Sequence, residues 1–210
     1  FLLNSTVLAS ASTVLTIALA IPAAYGLVRL PQRWLRVSRA LIAGAALFPY
    51  VLLFLALLEL ARSLNLGNSL LALASPYSAL SLPLALLLLT AAFEGLPKDL
   101  DDAAKLEGMS LVQRLRWVLI PLIAPATAST AILVFLFAWN EYPIALTWLS
   151  RSEQLTLPVA MARIAGSSVY SVPYGAYAAA TVLGALPLLL LVLLFQRQIV
   201  SGLTNGAVKG

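Results

Sequence analysis

The chain contains no cysteine and no histidine among its 210 residues, and only 10% of them are charged. Without cysteine there is no disulfide framework and no thiol nucleophile. Without histidine, the side chain that titrates nearest neutral pH and most often binds metal is gone. The 8 acidic residues form no cluster with ligand spacing, so no metal site is expected. No nucleophile–base pair and no glycine-rich phosphate loop is present, so no catalytic residue is assigned and an enzyme is the least favoured class. What is abundant is apolar: 61% of the residues are hydrophobic and the mean hydropathy is +0.97. A soluble domain is about 45–50% apolar and about 25% charged. Water cannot solvate a monomer with this balance, so a lipid membrane is the expected solvent. The net charge of +5 does not point to nucleic acid, because basic residues in a membrane protein mostly set its orientation.

Uncharged apolar stretches of about 20 residues cross a bilayer as helices, where every backbone group bonds within its own segment. Five such stretches occur, at about residues 3–28, 40–60, 70–93, 118–140 and 172–195. The fold class is therefore all-α, a single transmembrane domain over residues 1–210. Arg29, Arg33, Arg36 and Arg39 follow the first stretch, Lys98, Lys105, Arg114 and Arg116 follow the third, and Arg197 and Lys209 follow the fifth. These ten basic residues share one side of the membrane, against Arg62, Arg151 and Arg163 on the other. The positive-inside rule puts the C-terminus in the cytoplasm and Phe1 outside. A start at Phe1 rather than Met, on the outer side, leads us to expect a further span before it. The span centres carry no ionisable residue, which disfavours an ion-coupled carrier. Glu59 lies at an outer edge, three residues from Arg62, and is expected to pair with it.

The connection between the third and fourth spans, about residues 95–117, is too long for a simple turn. Pro97 suits the first turn of a helix, and Asp99, Asp101 and Asp102 complement the positive end of its dipole. Leu100, Ala103, Ala104 and Glu107 recur at helical spacing and are expected to form one face of small side chains. Gly108 fits the left-handed position that ends a helix. Ser110 and Gln113 form a capping-box pattern for the next helix, which passes Trp117 into the fourth span. From the residues alone, such a helix fits either a groove in another protein or the lipid surface.

The run Asp102-Ala103-Ala104-x-x-x-Gly108, followed after nine residues by Val118-Leu119-Ile120-Pro121, resembles the EAA loop of binding-protein-dependent ABC importer permeases. The family pattern is Glu-Ala-Ala, three residues, Gly, nine residues, Ile-x-Leu-Pro. Every spacing matches, with Asp102 for Glu, Val118 for Ile and Ile120 for Leu. Trp139-Asn140-Glu141-Tyr142 and the tail from Gly202 to Gly210 resemble the carbohydrate branch, specifically the maltose-type small permease. The resemblance extends over essentially the whole chain and implies a type I ABC importer permease fold, with six spans in the family against five here. It also implies a multi-pass protein of a bacterial or archaeal cell membrane that imports a sugar by alternating access. The implied partners are a second homologous permease, two cytoplasmic ATPase subunits and an extracytoplasmic solute-binding protein. ATP and Mg would bind to the ATPase, with no cofactor in this chain. Carried over, Asp102, Ala103, Ala104, Gly108 and Pro121 form the ATPase-coupling element, and the tail after Gly202 reaches toward the ATPases.

Two outer-side features remain. Trp139, Asn140, Glu141 and Tyr142 stand near the pore mouth, where aromatic stacking and hydrogen bonds would suit a sugar site, but an interfacial aromatic belt and pore gate is the preferred reading. The segment from Glu141 to Ser171 is long enough to touch the binding protein or to lay a surface helix near residues 155–164. An amino-acid ABC permease would share the EAA loop, although the sugar-branch tail and the run 139–142 argue against it. A self-contained carrier or channel is the rival of a different class.

Overall fold

The computed structural model describes residues 1–165 and 173–207. Among these residues the chain is helical and contains no strand. Helix α1 (Leu2–Val28) is followed by α2 (Gln32–Ala46), α3 (Phe54–Ser63) and α4 (Leu70–Glu94). The loop helix α5 (Lys98–Leu106) leads to the short α6 (Leu111–Gln113) and α7 (Ile120–Leu122), then to α8 (Ala124–Asn140). Last come α9 (Pro143–Trp148), α10 (Leu157–Ala165) and α11 (Tyr174–Ala207).

Among the described residues, three helices are individually long and apolar enough to cross a membrane: α1, α4 and the Tyr174–Leu193 portion of α11. The count reaches five when each of two bent pairs is taken as one span. The second and fourth expected spans are those pairs, and proline accounts for both breaks. Pro49 has no N–H, and its ring pushes Phe48 out of the helical region, so the chain leaves α2 at Ala46 and re-enters a helical turn at Tyr50. Within residues 118–140, Pro121 and Pro125 each remove one backbone donor. The segments Leu111–Leu122 and Ala124–Asn140 meet at 83° around Ile123. Pro125 then sits in the first turn of α8, where its missing donor costs nothing. Pro22 and Pro187 lie inside unbroken helices, as membrane helices tolerate when freed carbonyls find other donors.

The residues pack into two compact units. One comprises Phe1–Leu15, Pro49–Leu80 and Val134–Leu194. Its core joins Leu8 of α1, Leu73 and Tyr77 of α4, Trp139 of α8, Ile144 and Trp148 of α9, and Val159 of α10. The other comprises Thr16–Phe48, Ser81–Leu133 and the chain from Phe195. It holds the loop between the third and fourth spans. The outer segment forms α10 near where a surface helix is one of the two readings, but this helix buries Leu157, Val159 and Ala160 in the core of the first unit; residues 166–172, including Gly166 and Tyr170, lie outside the described residues. Glu59 and Arg62 are both exposed, and the expected ion pair between them does not form.

In the first unit, the turn from α3 to α4 depends on two asparagines in the left-handed region, Asn65 at φ 53° and Asn68 at φ 62°. Asparagine visits this region at lower cost than most residues. The Asn68 Oδ1 accepts from the Ser150 amide at 2.6 Å, the Ser150 hydroxyl at 3.0 Å and the Arg151 amide at 2.9 Å. The Asn68 amide donates to the Trp148 carbonyl at 3.0 Å. Asn68→Ala loses the acceptor and strains the backbone, a cost on the order of 2 kcal/mol. Tryptophan-fluorescence melting in detergent should therefore show a lower midpoint for Asn68→Ala, and a near-normal one for Asn68→Asp, which keeps the acceptor.

Candidate functional site

The EAA-like loop is built as a stiff helix with fixed ends. Pro97 stands immediately before α5 (φ −58°, ψ 130°) rather than inside its first turn. Its extended ψ puts the helix start at Lys98, one residue later than expected from sequence. Asp99 and Asp101 occupy the first turn, near the positive end of the dipole. At the other end the Gly108 amide donates to the Lys105 carbonyl at 3.0 Å and the Met109 amide to the Ala104 carbonyl at 3.1 Å. This pair of bonds is the Schellman termination, and it requires the left-handed residue found there, Gly108 at φ 77°. A Cβ on Gly108 would meet no atom within 4 Å, so the requirement is one of backbone conformation rather than space. Ser110 then caps α6: its amide donates to Gln113 Oε1 at 2.8 Å, and the Gln113 amide donates to Ser110 Oγ at 3.4 Å. A wide i→i+5 turn over Arg114–Leu119 follows, a form often found at functional positions.

Exposure divides α5 differently from the sequence expectation. Ala103 is exposed, whereas Ala104 is buried within its own unit, so the two alanines do not share an outer face. The helix turns about 100° per residue, and Ala104 lies one turn from the buried Asp101. The outer face carries Leu100, Asp102, Ala103, Glu107 and Leu106, the last 90% exposed. Lys105 Nζ donates to Asp102 Oδ1 at 2.8 Å, and this bond, with the ammonium charge, holds the Asp102 carboxyl below the usual carboxylate range. Pro121 is exposed at the bend that leads into α8.

Sequence reasoning treated Asp101 as one of three dipole-compensating acids. Its side chain is 3% exposed and accepts from several donors. Arg114 Nη1 reaches Oδ1 at 2.9 Å. The Tyr25 hydroxyl reaches Oδ2 at 3.0 Å, and the Arg29 guanidinium pairs with the same oxygen. Lys105 Nζ lies 3.4 Å away. The available signal was its spacing: Asp101 lies three residues before Ala104 and four before Lys105.

The second candidate, residues 139–142, separates into two roles. Trp139, Asn140 and Tyr142 line a cavity of about 450 Å³ with Pro158 of α10 and Tyr177 and Thr181 of α11. That volume falls within the range of small-molecule sites, about 300–1,000 Å³. Glu141 does not line this cavity. It is 3% exposed and accepts the Ile144 amide at 2.8 Å, the Ala145 amide at 3.0 Å and the Tyr77 hydroxyl. Its carboxylate closes the first turn of α9. Among the described residues no group of acids could hold a metal ion.

A multi-span helical subunit with an ordered loop helix between two spans defines a membrane permease component of a larger assembly. The chain belongs to the binding-protein-dependent transport system inner membrane component family, whose pattern it matches over residues 14–205. It is 40% identical over its full length to the sulfoquinovosyl glycerol transport system permease protein SmoH of Agrobacterium fabrum, covering 73% of that protein. It is 40% identical to the trehalose transport system permease protein SugB of Mycobacterium tuberculosis, covering 100% of this chain and 76% of the relative. The trehalose/maltose transport system permease protein MalG of Thermococcus litoralis is 39% identical, with 100% and 75% covered. A solved bacterial ABC transporter that imports the acidic polysaccharide alginate has the same fold, with a TM-score of 0.73 at 20% identity over 92% of this chain and 72% of that one.

The geometry of residues 139–142 separates three cavity-lining residues from one that holds a helix turn. Glu141→Ala strands the Ile144 and Ala145 amides and should cost on the order of 3 kcal/mol, read as a lowered melting midpoint. Asn140→Ala should leave the midpoint within error, because its amide donates only to the Leu136 carbonyl of its own helix, at 2.8 Å.

Proposed function

We propose that the chain is the sugar-translocating permease subunit of an ATP-driven importer, working by alternating access in a bacterial or archaeal cell membrane. The observation that carries this reading is α5, an ordered helix with fixed ends that exposes Leu106, Ala103 and Asp102. A helix of nine residues is marginal by itself in water, and evolution has little reason to stiffen one unless something pushes on it. The pushing partner is a cytoplasmic ATPase pair, which binds ATP and Mg. Its closure drags the loop inward and rocks the spans. A second, homologous permease completes the pore, and an extracytoplasmic binding protein delivers the solute.

The substrate class rests on the relatives, whose names specify a sulfoquinovosyl glycerol, trehalose, and trehalose or maltose. The aromatic and amide groups of Trp139, Asn140 and Tyr142 suit a sugar, which presents both an apolar ring face and hydroxyls. The ten basic residues of one side support a cytoplasmic loop and C-terminus. Residues 208–210 of the tail lie outside the described residues, and α11 runs to Ala207.

The reading is tested by co-expression with the neighbouring transporter genes, purification in mild detergent, and sugar uptake in reconstituted vesicles. A second permease and an ATPase should co-purify. Ala103→Trp, on the exposed face, should release the ATPase while leaving membrane insertion intact. Gly108→Val puts a β-branched residue at φ 77°, which is strained whatever the space, and should reduce ATP-driven uptake at least tenfold. Wild-type uptake by Gly108→Val, or a chain that retains no ATPase under any condition, would overturn the proposal.

A further inference from the structure

The helix that faces the partner is fastened to its own protein by a single buried carboxylate. Of the α5 side chains from Asp99 to Leu106, only Asp101 and Ala104 are buried. Ala104 contributes one methyl group, so apolar packing supplies little of the attachment. The flanking backbone bonds, Gly95 to the Ala91 carbonyl and the pair that ends α5 at Gly108, fix the ends of the helix but do not join it to α1. What remains is the charge cluster on Asp101. Its oxygens receive Tyr25 and Arg29 from the end of α1, Arg114 from the wide turn and Lys105 from α5 itself. The donors are themselves held. The Tyr25 ring packs edge-on against Phe93 at 5.9 Å, and the Arg29 guanidinium lies over the Tyr25 ring at 4.9 Å. Arg114 Nη1 also reaches the Tyr25 hydroxyl at 3.4 Å.

Burial sets this cluster apart from the other ion pairs of the chain. Arg39 and Glu94 are 34% and 32% exposed, and Asp102 in its pair with Lys105 is 61% exposed. Exposed pairs hold little against water. Asp101 at 3% and Arg114 at 13% are largely withdrawn from it, and deleting one member of such a cluster leaves the others charged and unpaired.

We infer that Asp101 is the positioning residue for energy coupling: through it α5, the end of α1 and the wide turn before α7 move as one body. This rests on the reading of α5 as the element that a partner ATPase pushes. A displacement of α5 then reaches the first span through Tyr25 and Arg29, and the chain leading to α8 through Arg114. Without the carboxylate, α5 loses its ionic link to the end of α1 and to the wide turn, and the push is dissipated.

The native chain has no cysteine, so two spin labels can be placed without background, at Gly26→Cys and Asp99→Cys, both exposed. The labelled permease is assembled with cysteine-free partner subunits in lipid vesicles. In the otherwise unaltered protein, the distance between labels should be narrowly distributed and the same without nucleotide and with ATP trapped. Asp101→Asn should broaden it at least twofold, and should lower sugar transported per ATP hydrolysed at least tenfold while the ATPase stays bound and hydrolyses ATP. Asp101→Glu should restore part of that ratio, which a lesion of stability alone would not. A label distance that changes between the two nucleotide states overturns the inference, and this arm needs no change at the cluster, so it stands even if Asp101→Asn fails to assemble. Wild-type transport per ATP in Asp101→Asn also overturns it. Loss of the ATPase from the unlabelled wild type would instead refute the functional reading on which the inference rests.

Discussion

Hydrocarbon offers no hydrogen bonds, and this one constraint shapes most of the chain. Each backbone amide and carbonyl in a span has to be matched within its own segment or by a near neighbour. Long unbroken helices such as α1 and α4 satisfy that demand by themselves, with hydroxyls folded back onto the preceding turn. Ser12, for example, donates to the Leu8 carbonyl at 2.7 Å. Where proline removes a donor, the chain either absorbs the loss inside a helix or bends. The bends at Pro49 and at Pro121–Pro125 are the places where it bends. The second of these directly follows the loop between the third and fourth spans, so the irregular backbone lies between α5 and the span that α8 forms.

The two units solve the problem of cohesion differently. The first is held by apolar contact around Tyr77, Trp139, Ile144 and Trp148, with Glu141 as the one buried carboxylate, satisfied mainly by backbone amides. The loop of the second has almost no apolar anchorage and is held by charge. A packed hydrophobic core is non-directional and tolerates small slips. A carboxylate gripped by two guanidinium groups and a phenol has a defined geometry. That directionality is achieved at the cost of burying an ionised group.

Much of this was legible in the sequence. The spans followed from runs of uncharged apolar residues, and Gly108, Ser110 and Gln113 announced a helix end and a helix start that the backbone adopts. The proline breaks were visible as prolines but not as bends, because membrane helices often run through proline, as α1 does at Pro22. The failure at Ala103 and Ala104 has a plain cause. Spacing shows which residues share a face, but not which face meets the protein's own body. Asp101 was hidden for a related reason. Its partners Tyr25 and Arg29 are separated from it by more than 70 positions, and no local pattern links them. Glu141 read as a mouth residue because it stands beside aromatic neighbours, while its actual partners are the amides just after it.

The exposure of Leu106 has a consequence for the life of the chain before assembly. Leu106 is 90% exposed at the end of a short helix, an apolar side chain that burial against a partner would stabilise. Any partner that binds only the ordered form of this loop adds to its stability in proportion to the logarithm of that partner's concentration. Subunit supply and loop order are thereby linked.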